Sequence, residues 1–242
     1  MDFSIAIYLL ELLAAIIGTC YIKKHVVNKG IIYFVYFLWV TVFLEVFISN
    51  IPFLLLELGI FDDRYMLLKK SVLLKGNIWI YNIYCVFSDL LYTYVFLSYI
   101  VNNTNRLIVK ALMLLHAISY CCFFIFSEGF FDSFYTIPYF LGVLNIIVAF
   151  GIYLNEILRI DKSISSVYLP VFIGFGIITF SVVMGPFFTF FYKTINYKVH
   201  FFYGLLLLIS NAFLYGLITI GFLIEMNMDR WIVKHKIIYR VE

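Results

Sequence analysis

Seven apolar runs, each long enough to cross a bilayer and joined by connections too short to fold alone, decide what this chain can become. A helix that crosses about 30 Å of hydrocarbon needs about 20 apolar residues. Such runs fall at residues 3–22, 31–61, 78–101, 107–126, 137–158, 167–193 and 201–225. The connections run from 102–106 at the short end to 62–77 at the long end, so none holds a folded domain. The chain is 64% hydrophobic and 13% charged, well above the apolar share of a soluble domain. These features predict an all-α polytopic membrane protein, one transmembrane bundle over 1–242, with 226–242 as an interfacial tail on the inner side. Any function then lies inside the bundle, on its rims or in a partner.

Basic residues set the expected orientation. With the N-terminus outside, eleven of the 17 Lys and Arg fall on inner segments and six on outer ones. The positive-inside bias therefore predicts N-out and C-in, in a plasma (inner) membrane. The net charge of +3 is read as topology and not as nucleic-acid binding. Cys20, Cys85, Cys121 and Cys122 lie within the spans without ligand spacing, which predicts packing residues, no disulfide and no metal site. The first span lacks a basic leader and a cleavage site, and is expected to stay as a helix. Trp79 and Trp231 sit where an aromatic belt would place them, whereas Trp39 falls inside a span.

Polar residues inside the spans are the functional candidates. Ser4, Tyr8, Glu11, Ala15 and Gly18 form one helical stripe opposite Ile5, Leu9, Leu12 and Ile16, which turns Glu11 inward. The second run has 31 residues, or about 46 Å of helix, so a kink at Asn50 and Pro52 is expected. Glu45 lies on its polar stripe with Thr41. In the third run Asn82, Cys85, Asp89, Tyr92 and Thr93 share the most polar face of the chain. His116 stands with Ser119 and Tyr120 in the fourth. Gly142, Asn145 and Ala149 share a face of the fifth, and Glu156 is expected to reach water beside Arg159. The seventh carries Asn211 and Tyr215 one turn apart.

A shift of 134 residues brings Glu11 onto Asn145, Ala15 onto Ala149, and Pro52-Phe53 onto Pro186-Phe187. A shift of 122 brings Tyr81 onto Tyr203 and Ser88-Asp89 onto Ser210-Asn211. Helices 1–3 and 5–7 would then be parallel repeats with helix 4 as the odd linker. This 3+1+3 plan resembles the SWEET and PQ-loop transporters, a resemblance that implies two three-helix bundles facing a central transport site. The Pro-Gln pair of the PQ-loop group is absent, since Pro52 and Pro186 precede Phe and Pro138 precedes Tyr, and no family residue is carried over. The pattern is also similar to seven-helix proteins of the bacterial inner membrane.

Counting along the helices puts Asp89, Asn211 and His116 near mid-bilayer and Glu11, Asn145 and Glu45 in the outer half, with no Lys or Arg in that band. Three carboxylates in apolar surroundings must take up protons, line a wet cavity or meet a cation. The bland reading of such groups is hydrogen-bonding between helices, worth about 0.6 kcal/mol per contact. Asp89 and Glu11 exceed what that role needs, since Asn or Ser would do it at lower cost. The expected function is a small-solute or cation- or proton-coupled carrier, with Asp89, Glu11, Glu45, His116, Tyr92, Asn145, Asn211 and Tyr215 at a midplane site. Two other classes fit: a sensor signalling through a partner, and a non-transport subunit or effector of a membrane complex. A membrane-protein partner or homo-oligomer fits any of these. No enzyme is expected and no cofactor, because HExxH, GxSxG and nucleotide-loop motifs are absent and residues 201–225 contain no lysine for a retinal Schiff base.

Overall fold

The computed structural model describes residues 3–25, 27–48, 78–126, 136–159, 168–188 and 197–238. They form helices α1 (Ser4–Lys24), α2 (Lys29–Phe43), α3 (Ile78–Leu97), α4 (Asn103–Phe126), α5 (Thr136–Arg159), α6 (Tyr168–Pro186) and α7 (Tyr197–Ile238). All seven, α2 together with the π-helical turn that follows it, carry a stretch long and apolar enough to span a membrane. The expected kink at Asn50 and Pro52 and the 62–77 segment lie outside the described residues. The irregularity that is seen comes earlier: α2 passes into a π-helical turn, Leu44–Ile48, which contains Glu45. Such turns interrupt the regular ladder and often mark functional positions.

Local chemistry starts the helices. The Asn28 side chain accepts from the Gly30 amide at 2.9 Å and caps α2. Asn102 accepts from the Thr104 amide at 2.8 Å, so α4 begins at Asn103 and not at the apolar residue 107. Lys23 and Lys24 occupy the last turn of α1, where cations complement the helix dipole. At the other extreme α7 runs for 42 residues without a break. Residues 226–238 therefore continue that helix, where the sequence led us to expect a separate surface segment.

Six helices close into a ring. α1 packs on α2, α2 on α3, α3 on α5, α5 on α6, α6 on α7, and α7 back on α1. α4 packs against α3 and α5 and buries only Val109, His116 and Tyr120. It thus stands outside the ring, with Leu107, Leu114, Leu115, Ile118 and Phe126 exposed where lipid would lie. Half a turn around the ring carries α1, α2 and α3 to the places of α5, α6 and α7.

Burial repeats in the same order, but in a different register from the one read off the sequence. Ile7, Glu11, Ala14, Ala15 and Gly18 are buried on α1, and so are the residues 135 positions later on α5, Gly142, Ile146, Ala149, Phe150 and Tyr153. That displacement also carries buried Phe34, Leu38, Thr41 and Val42 onto buried Leu169, Ile173, Gly176 and Ile177. The shift of 134 is therefore wrong by one residue for these helices, and Glu11 corresponds in position to Ile146. Apolar sequence offers chance identities at neighbouring shifts, whereas burial is fixed by which side of a helix meets the ring. For α3 and α7 the shift of 122 agrees, pairing buried Ser88, Asp89, Thr93 and Phe96 with Ser210, Asn211, Tyr215 and Ile218.

The outward face of α1 is the expected one except at Leu12, which is half-buried against the core. Ile5, Leu9 and Ile16 are exposed on α1 opposite buried Glu11. The cysteines are free, but Cys20, Cys121 and Cys122 are exposed rather than packed. Trp39, which fits no aromatic belt, donates its indole N–H to Thr19 Oγ1 at 2.8 Å and ties α2 to α1.

Candidate functional site

A cavity of about 550 Å³ occupies the end of the ring that holds the start of α1. Odd-numbered ring helices enter it by their first turns and even-numbered ones by their last. Glu11 of α1, Glu45 of the π turn and Asp89 of α3 all line it. So do seven tyrosines: Tyr8, Tyr81, Tyr84, Tyr92, Tyr139, Tyr203 and Tyr215. Among the described residues no Lys, Arg or His contributes to the lining. A carboxylate wall faced with aromatic rings and lacking any basic group is electrostatically suited to cations.

The acids are held differently. Tyr81 donates its hydroxyl to Glu45 at 3.2 Å, and Tyr84 shares a hydrogen bond with Thr41 at 3.0 Å. Glu11 is 3% exposed, and its Oε2 has no hydrogen-bond partner. Asp89 is 6% exposed. Its Oδ2 lies 3.5 Å from His116 Nε2, within ion-pair reach, but the alignment is not that of a hydrogen bond. His116 is fixed by Tyr120, whose ring meets the imidazole edge-on at 5.1 Å. Gly142 of α5 makes the pair possible, because a Cβ there would stand 2.0 Å from Asp89 Oδ2 and 2.8 Å from His116 Cε1.

Of the eight residues singled out in the sequence, Asp89, Glu11, Glu45, Tyr92, Asn211 and Tyr215 line the cavity. His116 and Asn145 do not. His116 reaches it only through Asp89. Asn145 is buried, with neither side-chain polar atom hydrogen-bonded. Asn211 spends its amide N–H on the Leu207 carbonyl, at 2.9 Å in its own helix. Sequence reasoning missed Tyr139, and it used Tyr81 and Tyr203 only to align the repeat. It also read Cys85 as packing, yet Cys85 lines the cavity.

The opposite end is closed. Phe34, Phe96, Tyr153 and Phe222 are buried across the ring, with Phe150 tilted against Phe96 at a centroid distance of 5.2 Å and stacked on Tyr153 at 6.4 Å. Beyond them Glu225 of α7 accepts from the Tyr21 hydroxyl of α1, and from the Leu169 amide at the start of α6 at 3.3 Å. Glu156, expected to reach water beside Arg159, is half-buried and is also held by the backbone. It accepts from the Val101 amide at 2.7 Å and from Asn105 at 2.6 Å, pinning the α3–α4 connection to α5. Asn28 adds a bond to the Ser98 carbonyl at 2.9 Å. A carboxylate bonded to two or three backbone or amide donors is satisfied where it stands. Glu225 and Glu156 are thus structural acids, in contrast to Glu11 and Asp89.

Seven apolar spans, six of them around a polar cavity, define an integral, multi-pass membrane protein. The chain matches no protein-family model, no curated protein and no solved structure. The functional reading therefore rests on the cavity itself.

Proposed function

We propose that this protein is a carrier of small cations and that the cavity is its binding site in a state open toward one face. The carrying observation is that Glu11, Glu45 and Asp89 line one cavity with seven tyrosines and, among the described residues, no basic side chain. Burying carboxylates without counter-charge is costly, and a cation entering from water removes that cost. Closure of the far end by the aromatic layer and the Glu225 contacts supports a carrier over a static pore. With the N-terminus outside, the cavity faces the exterior.

The reading is tested by uptake of radiolabelled tetramethylammonium into proteoliposomes. Saturable uptake above protein-free vesicles, reduced about tenfold or more by Glu11→Gln, is the result expected, tenfold being the effect of about 1.4 kcal/mol. Saturable binding with no flux would mean a sensor, and neither binding nor flux would end the cation reading.

A further inference from the structure

The acids are spread over the cavity, and that spread narrows the ligand class. This inference rests on the cation reading above. We propose that the ligand is a linear organic dication, a diamine or polyamine, with one ammonium group between Glu11 and Glu45 and the other at Asp89.

Three observations carry it. Although three carboxylates line one cavity, no group of three His, Cys, Asp or Glu among the described residues converges to hold a metal ion. A bare ion at either pole leaves the other pole unmatched, and about 550 Å³ is the size of a small organic ligand site. The poles also keep unspent hydrogen-bonding capacity: Glu11 Oε2 is buried and has no hydrogen-bond partner, and Asp89 lines the cavity with only its Oδ2 turned to His116 and Gly142 behind the wall. An ammonium group brings three N–H donors to such an oxygen. Finally, the wall between the poles is aromatic. Tyr92 lies within electrostatic reach of both Asp89 and Glu11, and Tyr84 within reach of Glu11 and Glu45. Phe37 packs against both rings, at 5.3 Å from Tyr84 and 5.7 Å from Tyr92, and holds them in place. Ring faces of this kind suit a methylene chain and the ammonium groups at its ends.

His116 faces Asp89 from α4, and Tyr139 of α5, with Cys85 and Tyr92 of α3, completes its ionisable neighbours. His116 holds the Asp89 carboxylate from outside the lining, and on the cavity side no basic side chain among the described residues competes with the ligand for it.

The test is calorimetric titration of the purified full chain with putrescine, spermidine, butylamine, tetramethylammonium and magnesium chloride at fixed ionic strength. Putrescine and spermidine are expected to bind at least about tenfold more tightly than butylamine. Asp89→Asn should collapse that ratio toward one, while Asp89→Glu retains most of it. The wild-type ratio decides the question even if a variant does not fold. Equal affinities for putrescine and butylamine overturn the dication and leave the cation reading standing. Binding of magnesium alone overturns it in favour of a metal ion, and binding of none of the probes removes both readings.

Discussion

His116 of α4 and Asp89 of α3 meet 3.5 Å apart on the outer side of the cavity wall. Asp89 faces the cavity and His116 does not, so the pair joins the binding surface to the helix that stands outside the ring. Removing His116 alone leaves a buried carboxylate without its imidazole neighbour. His116→Leu should cost about 1–3 kcal/mol in the wild-type background and, with Asp89→Asn, no more than the ordinary contact value of about 0.6 kcal/mol. A double-mutant cycle on unfolding in detergent measures the difference, and equal costs in both backgrounds would show that the two residues are not coupled.

Gly142 sets how closely α5 approaches that pair. A methyl group at 2.0 Å from Asp89 Oδ2 cannot be accommodated without moving α5 or the carboxylate. Gly142→Ala is expected to lose about 1–3 kcal/mol by overpacking and to weaken cation binding with it. Gly151→Ala on the same helix meets nothing within 4 Å and should leave stability the same or slightly raised. Similar melting shifts for the two variants would contradict the packing described.

These contacts mark the limit of what the sequence revealed. Hydropathy and length sufficed for the seven spans, and the helical stripes sufficed to turn Glu11, Glu45 and Asp89 inward. One-dimensional spacing does not say which stripe faces which, so the pairing of Asp89 with His116 was invisible, as was the exclusion of Asn145 from the cavity. Tyrosines serve both as packing and as polar lining, and Tyr139, Tyr81 and Tyr203 gave no signal of their own. Glu156 lies at a span end, where a carboxylate is read as reaching water, and Glu225 closed a span without drawing a reading of its own. Their real partners are backbone amides and side chains far off in the chain, and those are fixed only by the packing of the ring.

The far end is held shut by polar contacts as well as by aromatic packing. Tyr21→Phe removes the hydroxyl that Glu225 accepts from, and a hydrogen bond to a charged group is worth about 1.5–3 kcal/mol. In that background a cysteine introduced at the buried position Ile218 should react with a membrane-impermeant maleimide from the C-terminal side roughly tenfold faster than in the parent. An unchanged rate would assign the closure to the aromatic layer alone.

The charge of the cavity itself can be read through Cys85, a native thiol in its lining. With Cys20, Cys121 and Cys122 replaced by serine, Cys85 is the single reporter. The measurement is its rate of modification by a cationic and an anionic methanethiosulfonate, each normalised to its rate with a free thiol. An acid-lined cation site predicts that the cationic reagent reacts at least about tenfold faster, with the advantage falling as salt is raised and suppressed by putrescine. Equal normalised rates, or a faster anionic reagent, would contradict the account.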